Sequence, residues 1–319
     1  MIRKEILERL MPITDEERAI LGGRTSIDSD IYTDGGNVIS ASKLLPQDKQ
    51  ITIRVHTRFI HFPEHTHDYI EAVYTCAGET THIIDGKTIT LSEGELLFLG
   101  RGAKQEILPA GEGDVAVNFI IKPLFFEKTL EMLGAEDTPI KNFILDALVG
   151  SEDGGYLHFK VADVLPVQNL IENLIWTLLH DVPNKRNINQ TAMGLLFMQL
   201  LNHTDMIAHE SPEDEAVMGV LRYVEENYKS GTLTEAAALL HYDFFWLSHE
   251  IKNRTGMTYT EHLQRKRLSQ AAYLLANTNE AVADIATAVG YENKSYFHRI
   301  FYAKYGMTPK KYRDSAERS

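Results

Sequence analysis

The stretch ADIATAVGYENKSYFHRIFYAKYGMTPKKYR, residues 283–313, decides the fold of the C-terminal part of this chain. Its apolar residues recur at helical spacing, and Ala286 is a small residue where two helices can cross. Gly290 ends the first helical pattern, as a left-handed cap does. Asn293 can cap the helix that follows, because its side chain can accept hydrogen bonds from the first backbone N–H groups. The stretch therefore predicts a helix-turn-helix unit.

A second copy of this pattern lies 50 residues upstream. The segment LSHEIKNRTGMT at 247–258 aligns with FHRIFYAKYGMT at 297–308, and both end in Gly-Met-Thr. Asp243 stands where a cap for the second helix of this earlier copy is expected. The repeat predicts two helix-turn-helix units in an all-α C-terminal domain.

A long helix is predicted between the two copies. Thr258 and Glu261 have the spacing of a capping box, in which the side chain of each residue bonds the backbone N–H of the other. An apolar stripe continues from Leu263 through Leu268 to Leu275 at helical spacing. Two helix-turn-helix units joined by a helix can reach two adjacent major grooves of DNA.

The segment 283–313 resembles the signature of the AraC/XylS family of bacterial transcription regulators. The resemblance covers about the last hundred residues and rests on the Gly-Tyr, Tyr-Phe, Arg, Phe, Gly, Thr-Pro and Tyr-Arg elements of the segment. It implies a DNA-binding domain whose two recognition helices enter successive major grooves of a promoter, about 34 Å apart. Double-stranded promoter DNA is the implied partner, and RNA polymerase is a further candidate partner.

Charge is divided unevenly along the chain. The 319 residues include 32 Lys and Arg against 45 Asp and Glu, a formal net charge of −13, which taken alone argues against nucleic acid. Residues 1–211 hold 18 Lys and Arg against 31 Asp and Glu, so the whole excess of −13 lies there. Residues 212–319 hold 14 of each, and the segment 239–313 holds 11 against 6, a local charge of +5. The C-terminal part can therefore meet phosphates.

The helical spacing predicts which side chains contact DNA. In the second recognition helix Phe297, Ile300 and Phe301 form the buried stripe, which leaves the opposite face for the groove. Arg299 is the best candidate for base recognition, because a guanidinium can pair with guanine O6 and N7 together. His249 occupies the equivalent place in the first copy, where the family resemblance implies an arginine, and it can make one contact at most. The predicted DNA contacts are Phe245, Ser248, His249 and Lys252 in the first copy, and Asn293, Lys294, Ser295, His298, Arg299 and Lys304 in the second.

Several residues of this region also have a structural interpretation. For Arg299 the alternative is a solvated surface arginine. The aromatic run 244–246 predicts core packing for one or two rings and leaves another for a thymine methyl group. The basic residues of 310–313 either contact phosphates or form a charged helix face without function. Arg267 and Asp284 are interpreted as an ion pair between helices.

The N-terminal half has the pattern of short strands. From residue 51 to about residue 121, apolar and polar residues alternate in segments separated by turns, and Asp85-Gly86 is a hairpin signal. Several strands at this spacing indicate a sandwich or a barrel. After Pro123 the spacing becomes helical. Two amphipathic segments between about 166 and 208 have wide apolar stripes, for which packing on the barrel and a homodimer interface are both open explanations.

The segment HTHDYIE, residues 65–71, places His65, His67 and Glu71 on one face of a strand, because strand side chains alternate. It resembles the first motif of cupin barrels, a fold common among the sensor domains of the AraC/XylS family. In that resemblance Gln105 stands where a cupin enzyme has a fourth metal ligand, a histidine. Structural histidines, polar contacts to an organic effector and a metal triad are three open interpretations. The residues predicted to contact an effector are His65, His67, Glu71, Tyr74, His82 and Gln105, with Tyr69 as a further lining candidate.

These patterns combine into one prediction of fold and function. The fold class is α+β and multidomain, with an N-terminal extension at 1–50, a cupin-like jelly-roll barrel at 51–123, a helical dimerisation region at 124–208, a linker at 209–215 and the DNA-binding domain at 216–319. We predict a homodimeric transcription regulator, with an activator favoured, that responds to a small-molecule effector, for which a sugar is one candidate. No enzymatic activity, metal or cofactor is predicted. The alternative is a metal-dependent cupin enzyme fused to a DNA-binding domain.

The cysteine count and the lengths of the apolar runs bear on the compartment. The single cysteine, Cys76, cannot form an internal disulfide, which fits a reducing cytosol. No apolar run approaches the roughly 20 residues that span a bilayer. The sequence therefore predicts a cytoplasmic protein without a membrane partner.

Overall fold

The computed structural model describes residues 2–133, 139–145, 155–208 and 212–316. These residues divide into two compact units. The first unit comprises residues 2–133, 144–145 and 155–208, and the second comprises residues 139–143 and 212–316. The first unit contains both strands and helices, with eight strands in succession from residue 51 to residue 121, whereas the described part of the second contains helices and turns and no strand. The predicted α+β, multidomain fold class is confirmed.

The strands of the first unit form two five-stranded sheets. In chain order the strands are β1 (Val38–Ile39), β2 (Ile51–Val55), β3 (Phe62–His67), β4 (Ile70–Ala77), β5 (Glu79–Ile84), β6 (Lys87–Ser92), β7 (Leu96–Leu99), β8 (Gln105–Ile107), β9 (Val115–Ile121) and β10 (Tyr156–Phe159). One sheet has the order β1-β3-β8-β5-β6 and the other the order β10-β7-β4-β9-β2. Val73 and Leu97 of the second sheet share a buried cluster with Ile84 and Leu91 of the first, so the two sheets enclose a common core.

The predicted hairpin at Asp85-Gly86 is confirmed. Ile84 pairs with Lys87, so Asp85 and Gly86 alone form the turn between β5 and β6. Asp85 has a φ of 49° and Gly86 a φ of 81°, and two left-handed residues are what a two-residue turn needs to match the twist of its strands. On β6 the buried residues alternate with exposed ones, as the sequence pattern indicated.

The strand-rich unit extends beyond the predicted barrel limits of 51–123. Strand β10 lies in the region predicted to be helical, and it pairs antiparallel with β7. Strand β1 lies in the predicted N-terminal extension and pairs parallel with β3. Both segments are short, and each is fixed by a partner strand distant in sequence, so their local pattern carried little strand signal.

Four short helices of the N-terminal segment precede β2: α1 (Lys4–Leu10), α2 (Asp15–Leu21), α3 (Ser29–Tyr32) and α4 (Ala41–Leu44). Helix α2 is tied to the barrel by an ion pair between Glu17 and Arg58, both 0% exposed, with Arg58 Nε 2.7 Å from Glu17 Oε1. Burial raises the pKa of Glu17, but hydrogen bonds from Arg58 and from the backbone of Thr14 outweigh it and hold that pKa at about 2. The extension is therefore an integral part of this unit.

The helices that follow the barrel are α5 (Glu127–Met132), α6 (Pro139–Leu145), α7 (Leu165–Leu179) and α8 (Lys185–Asn202), with 3-10 turns at Pro123–Phe126 and Thr204–Met206. The apolar stripes of α7 and α8 are buried within the unit, and the Phe197 ring of α8 lies 5.2 Å from the Phe98 ring of β7. Packing on the barrel thus accounts for most of both stripes. Leu165, Ile188 and Leu195 remain exposed.

The second unit contains the predicted helical repeat. Its helices are α9 (Pro212–Asn227), α10 (Leu233–Leu240), α11 (Phe244–Thr255), α12 (Tyr259–Asn277), α13 (Val282–Ala288), α14 (Lys294–Tyr305) and α15 (Pro309–Ala316). The long connecting helix is α12, and the capping box of Thr258 and Glu261 opens it as predicted. Asp243 caps α11 and Asn293 caps α14, which confirms both predicted caps.

Each helix-turn-helix unit has its own core. Leu247 and Ile251 of α11 pack with residues of α9 and α10 in one cluster. Phe297 and Phe301 of α14 pack with residues of α12 and α13 in another. The recognition helices are therefore held from behind by apolar side chains at helical spacing, which leaves their other faces to solvent.

One prediction for this unit is wrong, and a second lies partly outside the described residues. Arg267 does not pair with Asp284: its Nε donates to the carbonyl of Tyr228 at 2.6 Å and its guanidinium also reaches the carbonyl of Lys229. The predicted linker at 209–215 lies outside the described residues at 209–211, and residues 212–215 are the first turn of α9. Proline at a first helical position and acidic residues in the first turn both favour a helix start.

Candidate DNA-binding face and effector cavity

Helix α14 exposes the residues that the sequence assigned to DNA. Asn293, Lys294, Ser295, His298 and Arg299 are all exposed, while Phe297 and Phe301 are 0% exposed. The Arg299 guanidinium lies 5.2 Å from the centre of the Tyr296 ring, a cation–π distance that holds the side chain over its own helix. Lys304 is half-buried, with its Nζ 5.5 Å from the Tyr305 ring.

Helix α11 exposes a set of predicted DNA contacts with less hydrogen-bonding capacity than that of α14. Phe245, His249 and Lys252 are exposed, and Ser248 is half-buried. The His249 ring is already engaged on its own helix, because its Nδ1 lies 3.1 Å from Asn253 Nδ2. Its Nε2 remains for one base contact, whereas Arg299 can pair with a base through two donors, so α11 offers less hydrogen-bonding capacity to DNA than α14.

The aromatic run at the start of α11 divides between core and surface. Trp246 stacks on Tyr242 with ring centres 5.0 Å apart and packs against the core of the first helix-turn-helix unit. Phe244 meets Phe245 edge to face at 5.3 Å. Phe245 is 79% exposed, the most exposed of the three, and is the ring placed to meet a thymine methyl group.

The basic residues near the C-terminus have different surroundings. Arg313 donates to the carbonyl of Leu275 in α12 and to that of Glu280 in the loop that follows, so it fastens α15 to this part of the unit and its assignment to phosphates is corrected. Lys310 and Lys311 are exposed and remain predicted phosphate contacts.

A cavity of about 40 Å³ lies inside the strand-rich unit. Four residues that the sequence singled out line it, namely His65, His67, Tyr69 and Glu71, as their shared strand parity predicted. Sequence reasoning missed other polar lining residues: Tyr32, Arg54, His56, Thr57 and Asn118. Asn118 carried a usable signal, since it is the one polar residue in the apolar strand VAVNFII. Tyr32 carried none, because its place depends on how the N-terminal segment packs.

A chain of polar side chains surrounds the cavity. Asn118 Nδ2 donates to Glu71 Oε1 at 2.9 Å, and Asn118 Oδ1 lies 3.1 Å from His56 Nδ1. His65 Nδ1 donates to the carbonyl of Pro63 at 2.8 Å. Glu71 Oε2, His67 Nδ1 and His56 Nε2 are buried and make no hydrogen bond with the described residues.

Burial controls the protonation of these groups. It lowers the pKa of His65 to about 4 and that of His67 to about 3, so both rings are neutral at pH 7. Burial also raises the pKa of Glu71. The cavity therefore offers neutral imidazole nitrogens beside a carboxyl group, a set that can both donate and accept hydrogen bonds.

Three predicted effector contacts do not line the cavity. Gln105 lies 3.2 Å from His65 Nε2 and 3.0 Å from His82 Nδ1, so Gln105 and His82 support His65 from behind. Tyr74 is on the other face of β4, because it is an odd number of residues from Glu71, and its hydroxyl donates to Gln168 of α7. These three residues are corrected from effector contacts to structural residues.

The same geometry bears on the metal interpretation. His65 Nδ1 is engaged by the Pro63 carbonyl, Gln105 Oε1 lies 3.2 Å from His65 Nε2, and His67 Nε2 lies 3.7 Å from Glu71 Oε2. Among the described side chains no three His, Cys, Asp or Glu residues are grouped so that they could hold a metal ion.

Comparison with known proteins matches both units. The model of the AraC-like ligand binding domain matches residues 49–121, and a helix-turn-helix domain model matches residues 236–315. The HTH-type transcriptional activator RhaR of Shigella flexneri is 26% identical over 263 residues, covering 79% of this chain and 87% of RhaR. RhaR of Escherichia coli is 25% identical over the same shares.

The chain belongs to the AraC family of transcription regulators. This AraC-family protein is a DNA-binding regulator with a ligand-binding domain in its N-terminal half and a helix-turn-helix domain in its C-terminal half. Similar solved structures include apo ToxT from Vibrio cholerae, with 14% identity and a TM-score of 0.38 over 83% of this chain and 97% of ToxT. They also include the C-terminal domain of AraT from Geobacillus stearothermophilus, with 29% identity and a TM-score of 0.31 over 34% of this chain and 88% of that one.

None of the described helices of this AraC-family regulator has the length and apolar character needed to cross a membrane.

Proposed function

We propose that this regulator activates transcription by binding promoter DNA through α11 and α14, under the control of a small polar effector held in the barrel cavity. The observation that carries the proposal is the exposed face of α14. The opposite face of this helix packs against the core through a buried apolar stripe, and the helix lies in the segment 239–313, which has a local charge of +5. Arg299 is the central base contact, α11 adds Phe245 and Lys252, and the lysines add phosphate contacts. The relatives at 26% identity are named activators, which supports activation over repression.

The effector chemistry follows from the unpaired atoms of the cavity. Glu71 Oε2, His67 Nδ1 and His56 Nε2 need partners, and hydroxyl groups can serve both donors and acceptors. A neutral polyhydroxyl compound such as a sugar fits that set. The volume of about 40 Å³ is far below the roughly 300 Å³ of small-molecule pockets, so binding requires the N-terminal residues that line it, among them Tyr32 and Leu44, to move outward.

The remaining parts of the proposal concern assembly and compartment. We propose a homodimer through the exposed face of α8, where Ile188 and Leu195 are apolar, exposed and seven residues apart, and so share a face. A bacterial regulator of promoters acts where the chromosome lies, in the cytoplasm. RNA polymerase is a proposed partner because activation requires contact with it or with the DNA that it occupies.

The deciding experiment compares two variants of Arg299 with the wild-type chain on its own promoter and on unrelated duplex DNA. Arg299→Ala is expected to lose about 2 kcal/mol of binding to the promoter, as removal of one bidentate base contact does. Arg299→Lys keeps the charge but not the bidentate pairing, so it is expected to hold unrelated DNA as well as wild type does while losing promoter preference.

Lys310→Ala serves as the matched control. Loss of one phosphate contact weakens promoter and unrelated DNA equally and reduces the dependence on salt. If Arg299→Ala bound the promoter as tightly as the wild-type chain, the docking of α14 proposed above would be incorrect.

A further inference from the structure

A second cavity of the strand-rich unit lies outside the barrel interior. Its volume is about 200 Å³, larger than the barrel cavity. It is enclosed by the segment that leads into β2, the 3-10 turn Pro123–Phe126, the end of α7 and the start of α8. We infer that this cavity binds a small organic anion, with an acidic head between Lys49 and Arg186 and an apolar group on the cavity floor. No step of DNA binding or of effector binding in the barrel uses these residues.

Positive charge collects at this cavity although its unit is acidic. Lys49, Lys185 and Arg186 line it, against the single carboxylate of Asp48. Residues 1–211 hold only 18 Lys and Arg against 31 Asp and Glu. Three basic side chains at one cavity therefore contrast with the net negative charge of these residues. Neither Lys49 nor Arg186 has an ion pair within the described part of the chain. A site that gathers cations without pairing them is suited to an anion from outside.

Lys185 is fixed at the rim. Its Nζ donates to the carbonyl of His180 at 2.8 Å and to that of Leu178 at 3.2 Å, which holds the ammonium group at the end of α7. Burial lowers the pKa of Lys185, and the nearby Lys49 lowers it further, while Asp181 acts in the opposite direction. The mutual repulsion of the two lysines is a cost that a bound anion would relieve.

Asn189 supplies an independent sign of a ligand. It is 1% exposed and lines the cavity, and its Oδ1 accepts a hydrogen bond from Thr177. Its Nδ2 makes no hydrogen bond with the described residues and is accessible from the cavity that Asn189 lines. This amide can therefore donate to a group bound there. An acidic head group would supply the acceptor.

The N-terminus of α8 adds positive electrostatic potential at the same cavity. This helix has 18 residues, and its N-cap residue Asn184 makes no side-chain capping bond. The first backbone N–H groups of such a helix carry partial positive charge toward its N-terminus. Lys185 and Arg186 stand in that first turn, so the helix and its side chains favour the same sign of ligand.

The apolar residues that line the cavity favour an organic ligand over an inorganic ion. Ile51, Phe125 and Leu178 line the cavity beside the cations. The site therefore suits a carboxylate or phosphate carried on a short apolar group, whose head meets the cations and whose remainder displaces water from these walls.

The test is calorimetric titration of the full-length chain with four probes: hexanoate, phenyl phosphate, inorganic phosphate and the uncharged hexanol. Hexanoate or phenyl phosphate is expected to bind saturably, and the tighter of the two identifies the head group. The double variant Lys49→Gln/Arg186→Gln is expected to weaken that binding at least about tenfold, because charge-assisted bonds dominate it.

Two control variants test whether the probes bind at this cavity rather than elsewhere in the unit. Lys160→Gln removes one exposed positive charge of the same unit away from the cavity, and Glu71→Gln alters the barrel cavity. Both are expected to bind the probes as the wild-type chain does. The inference is overturned if hexanol or inorganic phosphate binds as tightly as the organic anions, if the double variant binds them unchanged, if Glu71→Gln weakens them, or if neither organic anion saturates the chain below about 10 mM.

Discussion

Single residues with unmet hydrogen bonds mark the barrel cavity in which we propose that the effector binds. Glu71 is 3% exposed and accepts a hydrogen bond from Asn118, and its second oxygen has no hydrogen bond among the described residues. Burial of a polar atom without a partner costs roughly 1–3 kcal/mol, a cost that a ligand can remove. An effector that pairs with the second oxygen of Glu71 removes that cost.

We therefore predict that Glu71→Gln weakens effector binding about tenfold or more. The neutral amide of glutamine replaces a carboxyl group, which accepts stronger hydrogen bonds when it is ionised. The effector is first identified as the compound, from a panel of neutral sugars, that raises the melting temperature of the wild-type chain. Tyr74→Phe is the control, because Tyr74 lies on the other face of β4 and should leave affinity unchanged. Equal loss in both variants would contradict the placement of the effector.

At the scale of elements, a buried ion pair is one of the contacts that hold the N-terminal helices. Arg58 reaches Glu17 of α2 and the carbonyls of Met11 and Glu112, so one guanidinium bonds both the N-terminal segment and the barrel. The ion pair of Arg54 with Glu16 and the hydrogen bond from Ala41 to Asp68 add to it. The same segment lines the barrel cavity through Tyr32, so we expect the pair of Arg58 and Glu17 to influence access to that cavity.

The pair makes stability dependent on pH. The pKa of Glu17 is about 2 when folded and 4.5 when unfolded, so its contribution is complete above about pH 4.5 and is lost as the pH falls toward 2. We predict that Glu17→Gln lowers the free energy of unfolding by about 3 kcal/mol at pH 7, because a buried Arg58 loses its partner. Urea denaturation between pH 7 and pH 3 should show this difference shrinking below pH 4.5. The exposed Glu5→Gln is the control, and a difference that did not change with pH would contradict the prediction.

Helix α8 is the element on which the proposed dimer depends. Most of its apolar residues pack inside the unit, but Ile188 is 42% exposed and Leu195 is 43% exposed. We predict that Leu195→Glu converts the dimer into a monomer in sedimentation experiments, because it places a charge in the apolar contact. Leu21→Glu, at an exposed leucine of α2, should leave the dimer intact. A wild-type chain that sediments as a monomer at all concentrations would refute the proposal.

At the scale of the whole molecule, charge separates the two functions. The residues that carry the excess of −13 are those of 1–211, and the local +5 lies in 239–313. Phosphates attract the second segment and repel the first, and salt screens both effects beyond about 8–10 Å.

We predict that the isolated segment 212–319 binds unrelated duplex DNA more tightly than the full chain at low salt, and that the difference narrows as salt is added. Fluorescence anisotropy at 20 and 200 mM salt measures both. Equal affinities at the lower concentration would show that the acidic half does not affect binding.

The sequence by itself determined the features that depend on neighbours along the chain. The two helix-turn-helix units, the caps Asp243 and Asn293 and the turn at Asp85-Gly86 are each specified within a few residues, because helix caps and tight turns are local chemistry. Strand parity alone placed His65, His67 and Glu71 on one face, toward the cavity that they line.

Tertiary structure decided what depends on distant partners. Strand β10 forms only because β7 offers an edge, and Arg267 bonds the carbonyls of Tyr228 and Lys229 because the turn between α9 and α10 comes to it. The barrel cavity and the cationic cavity at α8 are each enclosed by segments far apart in sequence. Local spacing fixes backbone geometry and the face on which a residue lies, whereas the partners of a buried polar group are set by packing over the whole chain.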